Sequence, residues 1–183
     1  NVSEINNKKK QFIPEKKDYF LAVGRLTKQK NFIFLCKAFK NLVKKENNLK
    51  LLIAGEGEEN KYIKEFIDKN NLNKNIQLLG HVKNVFPYLM NAKCFILSSL
   101  WEDPGFVLIE SAICRTLVLT NDSWPGPKEL IKDKINGFVY EKNNFDSFYE
   151  KFNLMKESKD IQSLKKKNLI SAKKFTIFNH YKS

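Results

Sequence analysis

The sequence has 183 residues, enough to bury one good core, and 42% of them are hydrophobic. Its apolar runs are all shorter than the roughly 18 residues that a membrane-spanning helix needs, which argues against an integral membrane protein. The net charge is +13. This charge fits either lysines spread over solvated faces or attraction to an anionic membrane surface or a polyphosphate ligand. Because the lysines are scattered through every predicted helix and form no nucleic-acid motif, we expect no nucleic-acid partner.

The start of the sequence differs in composition from the part that follows. Residues 1–17 are polar and basic, which is typical of a linker, and we expect them to join a missing N-terminal domain to a folded part at 18–183. The polar start predicts no signal peptide, and without a Met it indicates a piece of a longer chain.

The cysteines are set in apolar runs and are predicted to be the reduced, buried thiols of a cytoplasmic protein: Cys36, Cys94 and Cys114.

Apolar runs and helical periods alternate along the chain. Buried strands are predicted at 18–24, 49–54, 75–80, 94–98, 116–120 and 138–140. Helices are predicted at 32–43, where Asn31 would supply the N-cap, then at 58–69 and 85–91, from Phe106, from Lys128, and as one helix over 144–175. This alternation demands a parallel sheet with right-handed crossovers. The predicted fold is therefore α/β, a Rossmann-like three-layer α/β/α arrangement with about six strands.

Ligands of such folds bind at the carboxyl ends of the strands, near the point where the strand order reverses. The loops that follow the first five predicted strands should therefore gather at one edge of the sheet. They begin with Gly24-Arg25, Gly55-Glu56-Gly57 and Gly80-His81-Val82, and continue with 98–106 and 122–127.

The first of these loops carries two cations. Gly24 ends the strand, and a glycine there allows the backbone to approach a ligand closely. Arg25 offers a planar fork of N–H donors and Lys30 a point charge, a combination that suits a diphosphate. The alternative is that both are ordinary solvated cations of a basic chain.

The fourth loop carries Glu102 and leads into a helix that contains Glu110. At the start of that helix, the backbone N–H groups of Gly105, Phe106 and Val107 favour negative charge. Glu110 lies about one turn into the helix and can accept hydrogen bonds from two neighbouring hydroxyls. The alternatives are an exposed helix carboxylate at Glu110 and, at Glu102, a loop acid favoured by the helix dipole alone.

Several of these segments resemble one enzyme family. The spacing from Glu102 to Glu110 resembles the E-x7-E signature of retaining GT-B glycosyltransferases, family 4 in particular. The segment 24–30 resembles that family's G-R-x-x-x-x-K phosphate-binding segment. His81 and Val82 resemble the strand end that borders the nucleobase, and 122–129 resembles the family's G-G-x-x-E-I-I segment.

The resemblance is incomplete at three places. Asp103-Pro104-Gly105-Phe106 replaces the family's G-F-G, Pro125-Gly126-Pro127 replaces a Gly-Gly pair, and Arg115 stands where a Gly is usual. The likeness covers about 19–142 and involves only the C-terminal, donor-binding half of a GT-B enzyme. We therefore expect small differences in the loop backbones.

The resemblance implies roles for individual residues. Arg25 and Lys30 would neutralise a leaving diphosphate, Glu110 would hold the ribose, and Glu102 would position the donor sugar. The remaining donor-binding residues would be Gly24, His81, Val82, Gly105, Phe106 and Val107. A metal-independent enzyme without a cofactor is expected, and the sequence has no Asp-x-Asp metal motif.

The function implied is transfer of a sugar from a nucleotide diphosphate sugar to a glycan or lipid-linked acceptor in surface polysaccharide synthesis. A UDP-hexose or UDP-N-acetylhexosamine is the preferred donor, because the family often uses UDP. The acceptor would bind the missing domain, and the isolated domain is expected to be inactive. The alternatives are a GT-B-like epimerase or phosphorylase and a non-catalytic nucleotide-sugar-binding module. The expected location is the cytoplasm, at the inner face of the membrane.

Overall fold

The computed structural model describes residues 18–103 and 105–173, so the linker predicted at 1–17 lies outside the described residues. Its strands are β1 (Phe20–Val23), β2 (Leu51–Ala54), β3 (Ile76–Gly80), β4 (Cys94–Leu97), β5 (Val118–Asn121) and β6 (Phe138–Tyr140). They form one six-stranded sheet in the order β3-β2-β1-β4-β5-β6. Every neighbouring pair is parallel, which confirms the predicted Rossmann-like α/β class.

The helices are α1 (Phe32–Lys45), α2 (Asn60–Lys69), α3 (Phe86–Asn91), α4 (Phe106–Ile113), α5 (Gly126–Leu130), α6 (Phe145–Glu157) and α7 (Ile161–Lys173). A short 3-10 turn at Lys28–Lys30 precedes α1. Within the described part of the chain, none of these helices is long and apolar enough to cross a bilayer.

The sheet is buried on both faces, which explains why its strands are almost continuous apolar runs. Side chains alternate between two cores, as the period of a strand requires. In β1, Phe20 and Ala22 join the core formed with α1, α2 and α6. Leu21 between them joins the opposite core, which includes α3 and α4. The helices thus form two layers around the sheet.

The helix predicted at 144–175 is wrong in one respect, because α6 ends at Glu157 and α7 begins at Ile161. Met155 and Leu164 are both buried. They are nine positions apart, about two and a half helical turns, so one straight helix would place them on opposite sides. The break at 158–160 lets both side chains reach a core.

The predicted cap of α1 also differs. Asn31 is the N-cap residue, but its side chain makes no capping hydrogen bond and its φ of 54° is left-handed. Its Nδ2 instead donates to Oδ1 of Asn143 at 2.8 Å. Asn31 therefore ties the start of α1 to the turn before α6.

The strand order reverses between β1 and β4, which are adjacent in the sheet although two strands lie between them in the chain. The loops that follow β1 and β4 consequently meet at the carboxyl edge. This is the place where open α/β sheets bind ligands.

Candidate active site

Three hydrogen bonds that involve backbone atoms join the loops after β1 and β4. The N–H of Leu100 donates to the carbonyl of Gln29 at 2.7 Å. The side-chain amide of Gln29 donates to the carbonyl of Trp101 at 3.0 Å, and the hydroxyl of Ser98 donates to the carbonyl of Lys30 at 2.8 Å. The loop with the predicted phosphate-binding cation and the loop with the first carboxylate are thus one unit.

Within this unit Lys30 and Glu102 form an ion pair. Nζ of Lys30 donates to both carboxylate oxygens of Glu102, at 2.7 Å each. Their side chains are only 14% and 10% exposed, so water screens the pair weakly. The carbonyl of Glu102 accepts a hydrogen bond from the N–H of Gly126 at 2.9 Å, which attaches the backbone of this loop to the loop after β5.

Two glycines make room for the pair. A Cβ added to Gly24 would lie 3.2 Å from Cδ and Cε of Lys30. A Cβ added to Gly105 would lie 3.1 Å from Cγ of Glu102, and the φ of Gly105 is +76°. The two charged side chains therefore lie against the backbone at positions where a larger residue would crowd them.

Arg25 lies on one wall of a cleft of about 370 Å³. This cleft is lined by Val23, Gly24, Arg25, Ala54, Gly55, Glu56, His81, Val82 and Val85. The structure thus brings four of the predicted site residues together around one space. Among the described residues, the guanidinium of Arg25 makes no hydrogen bond or ion pair, and the residue is exposed. Arg25 is therefore accessible to an anionic ligand.

Another cleft, of about 440 Å³, lies between α2 and the edge strand β3. It is larger, but it contains none of the predicted site residues and is not lined by the loops after β1 and β4. We therefore regard the cleft beside Arg25 as the candidate site, since it lies at the carboxyl ends of β1 and β2 and this position matters more than size.

Glu56 lines this cleft, although the sequence indicated it only as part of the candidate loop after the second strand, without a role of its own. Its Oε1 accepts a hydrogen bond from the backbone N–H of His81 at 3.1 Å, and both residues line the cleft. The backbone of His81 is thus engaged, while its side chain is exposed. The Gly-x-Gly sequence around Glu56 was the signal that could have identified it.

Helix α4 begins as the sequence predicts. Gly105 is its N-cap residue, so the N–H groups of Phe106 and Val107 lie in the first turn, which has no earlier helical carbonyl to bond. Phe106 is 69% exposed. Glu110 is half-buried and lies four residues further along, on the same side of the helix as Phe106.

Both tryptophans of the chain are beside this site and exposed, Trp101 by 55% and Trp124 by 63%. Trp101 directly precedes Glu102 and Trp124 directly precedes Pro125, and the backbones of Glu102 and Pro125 form a bridge. The sequence alone did not indicate a role for either residue, because only the fold brings the loops after β4 and β5 together. No cluster of three His, Cys, Asp or Glu side chains in the described part of the chain could hold a metal ion.

The model of a known protein family, described as "Glycosyl transferases group 1", matches residues 3–174. The chain belongs to this family. A glycosyltransferase of Methanocaldococcus jannaschii, described as uncharacterized, is 36% identical over 159 residues, which are 85% of this chain and 38% of that protein. A second family relative, from Campylobacter jejuni, is 32% identical over 175 residues, 95% of this chain and 47% of its own length. It is named N-acetylgalactosamine-N,N'-diacetylbacillosaminyl-diphospho-undecaprenol 4-alpha-N-acetylgalactosaminyltransferase.

Solved structures of GT-B glycosyltransferases share the fold of this family member. A mutant of S. aureus TarM, in complex with Fondaparinux, alpha-GlcNAc-glycerol and UDP, superposes with a TM-score of 0.83 at 24% identity, over 94% of this chain and 36% of that one. The pneumococcal O-GlcNAc transferase GtfA, in complex with UDP and GlcNAc, gives 0.82 at 21% identity, over 91% and 35%. The chain therefore spans less than half of the length of these relatives and neighbours.

Proposed function

We propose that this chain is the donor-binding domain of a retaining family 4 glycosyltransferase. The enzyme would move a sugar from a nucleotide diphosphate sugar to a glycan or lipid-linked acceptor in surface polysaccharide synthesis. The observation that carries the proposal is the ion pair between Lys30 and Glu102 where the strand order reverses, with Lys30 packed against Gly24, which lines the same cleft as Arg25. Membership of a glycosyltransferase family favours this role over an epimerase, a phosphorylase or a non-catalytic module.

The donor we propose is a UDP-hexose or UDP-N-acetylhexosamine. The nucleobase would lie in the cleft bordered by His81 and Val82, and the ribose hydroxyls would donate to the carboxylate of Glu110. The diphosphate would then face Arg25, Lys30 and the first N–H groups of α4. UDP is present in the structures of TarM and GtfA that share this fold, which supports the choice of nucleotide.

In the reaction, the bond between the anomeric carbon and the diphosphate oxygen breaks, and a bond from the same carbon to the acceptor oxygen forms. The proton of the acceptor hydroxyl is transferred to the leaving diphosphate. Arg25 and Lys30 stabilise the charge that develops on that diphosphate, commonly a large term in catalysis. Glu102 orients the donor sugar and supports positive charge at the anomeric carbon. This chemistry requires no metal ion or further cofactor.

The acceptor would bind a preceding domain that forms the other wall of the cleft, and this chain alone would turn over little. We propose that the whole enzyme works in the cytoplasm at the inner face of the membrane. Two facts support this location: the net charge of +13, which an anionic surface attracts, and the diphospho-undecaprenol acceptor in the name of the Campylobacter relative.

The test is nucleotide binding by calorimetry and thermal shift on the full-length protein, with UDP, GDP, ADP and the matching nucleosides. A nucleoside diphosphate at 100 times its dissociation constant should add about 2.7 kcal/mol of stability. Glu110→Ala should weaken both nucleoside and nucleotide, whereas Arg25→Ala should weaken the diphosphate far more than the nucleoside.

Two controls match these variants. Arg115→Ala removes an exposed arginine beyond the opposite end of α4, and Glu65→Ala removes an exposed helix carboxylate of α2. Both should leave binding unchanged. Equal losses for uridine and UDP in Arg25→Ala would remove the phosphate role. Failure of all three nucleotides to bind would contradict the proposed function.

A further inference from the structure

We infer that Glu102 is an internal counter-anion for Lys30, and that the donor diphosphate displaces its carboxylate from the ammonium. The inference rests on the proposed function and deepens it. Nζ of Lys30 lies 2.7 Å from both carboxylate oxygens of Glu102. Within 18–103 and 105–173, that carboxylate has no other hydrogen-bond donor. The two residues proposed for separate tasks on the donor therefore neutralise each other when the site is empty.

This pairing makes Lys30 less accessible to a phosphate than Arg25, the other cation of the phosphate-binding segment. Arg25 is exposed and has no partner among the described residues, whereas the ammonium of Lys30 is mostly buried against Glu102. An incoming diphosphate can reach Arg25 directly. It can reach Lys30 only by competing with a carboxylate, because the anionic phosphate and the anionic Glu102 repel each other at short range.

The surrounding backbone allows the side chain of Glu102 to move while its main chain stays in place. The carbonyl of Glu102 is held by the N–H of Gly126 at 2.9 Å, and its backbone is bridged to Pro125. The side chain passes beside Gly105, which has no Cβ to obstruct a rotation. We therefore expect the displacement to change only the side-chain rotamer of Glu102.

The consequence is an order of events. The carboxylate of Glu102 becomes available to the hydroxyls of the donor sugar only after the diphosphate has taken its place on Lys30. Binding of the leaving group thereby prepares the residue that positions the sugar. A purely structural ion pair would remain closed and would not influence nucleotide affinity in this way.

The inference predicts that Glu102→Gln tightens the binding of a nucleoside diphosphate, although it removes a residue of the site. In the full-length protein we expect the dissociation constant of UDP, by calorimetry, to fall roughly threefold to tenfold, because the neutral amide of a mostly buried pair competes less with the diphosphate for Lys30. Uridine should bind as before. Lys30→Met combined with Glu102→Gln should abolish the gain. Glu65→Gln removes one exposed negative charge of α2, away from Lys30, and should leave the affinity unchanged.

Unchanged or weaker binding of UDP to Glu102→Gln would overturn the inference, provided that wild-type protein binds UDP. If wild-type protein binds GDP or ADP instead, the same comparison is made with that nucleotide. If it binds none of the three, the proposed function fails and this inference fails with it.

A crystal structure of the wild-type complex gives a second measurement that needs no variant. The distance between Lys30 and Glu102 should exceed about 4 Å, the limit of an ion pair, and a pair still closed over bound nucleotide would contradict us.

Discussion

The ends of β1 and β2 touch at two glycines, because a Cβ added to Gly55 would lie 1.8 Å from the carbonyl oxygen of Gly24. The φ of Gly55 is +146°, a backbone conformation that residues with side chains rarely adopt. A hydrogen bond of 3.0 Å from the N–H of Gly24 to the carbonyl of Ala54 holds the two strand ends together. This contact fixes where the loop that carries Arg25 leaves the sheet.

Gly55→Ala should therefore destabilise the fold by about 3 kcal/mol or more, because the new methyl group meets backbone that cannot rotate away. The matched control is Gly80→Ala, where the nearest atom to a Cβ is Oε1 of Glu56 at 3.5 Å and only the φ of +67° is unfavourable. That strain should cost about 1–2 kcal/mol. Urea unfolding measures both variants. Equal losses would mean that the contact with Gly24 relaxes without cost.

The ion pair between Lys30 and Glu102 should contribute to stability as well as to binding. Lys30→Met leaves a mostly buried carboxylate without a partner, and we expect a loss of about 1–3 kcal/mol in urea unfolding. Adding Glu102→Gln to this variant should recover part of the loss, since a neutral amide is easier to bury. The control is Lys61→Met, because the pair between Lys61 and Glu65 is 4.0 Å long with side chains 89% and 64% exposed. Its loss should stay below about 0.5 kcal/mol. A Lys30→Met protein as stable as wild type would refute this prediction.

The sheet was predictable because each buried strand is a short apolar run and the alternation of strands and helices restricts the topology. The candidate loops followed from the same reasoning, since the carboxyl ends of parallel strands share one edge. The contact between Lys30 and Glu102 was not predictable from their positions. It depends on β1 and β4 being neighbours and on hydrogen bonds between loops 72 residues apart in the chain.

The prediction of one continuous helix at 144–175 was wrong for a different reason. Its sequence has neither Gly nor Pro at 158–160, so local signals for a break are weak. The spacing of the buried residues does indicate the break. Phe148, Phe152 and Met155 lie on one face of a helix, and in the same helix Leu164 would lie about half a turn away from that face. A count of that phase would have separated α6 from α7.

Asn121, at the end of β5, should be important for the shape of the site. It is 1% exposed, its Nδ2 donates to the carbonyl of Ser99 at 2.8 Å, and its Oδ1 accepts from the N–H of Ser123 at 3.3 Å. It thus connects the loops after β4 and β5. Asn121→Ala should cost about 1–3 kcal/mol, because two buried backbone groups lose their partner. Hydrogen exchange at the N–H of Ser123 should become faster.

Asn121→Asp tests the same contact more sharply. The carboxylate keeps an acceptor for Ser123 but loses the donor to Ser99 and adds a buried charge, so it should be less stable than the alanine variant. The control is Asn153→Ala, at an exposed position of α6, which should remain within about 0.5 kcal/mol of wild type. Unaltered exchange at Ser123 in both Asn121 variants would show that the loops hold each other without this side chain.

Alkaline pH should destabilise the protein through its buried thiols. Burial raises the pKa of Cys36 from 9.0 to about 12, and burial raises the pKa of Cys94 still further. In the unfolded chain both thiols ionise near pH 9, whereas in the folded protein they stay protonated. A raised folded-state pKa gives stability that is complete below pH 9 and is lost as the pH rises from 9 toward 12. Each thiol contributes a slope of up to about 1.4 kcal/mol per pH unit in this window.

Between pH 9 and about 10.5, Cys36→Ala should therefore lose less unfolding free energy than wild type. The difference should equal the contribution of one buried thiol. Urea unfolding across this range measures the slope, and the comparison is independent of the small cavity that the variant creates at every pH. Between pH 6 and about 8 the wild-type and variant curves should run parallel, because neither thiol ionises there. An identical slope above pH 9 in both proteins would mean that Cys36 is reached by solvent in the folded state, contrary to its burial in α1.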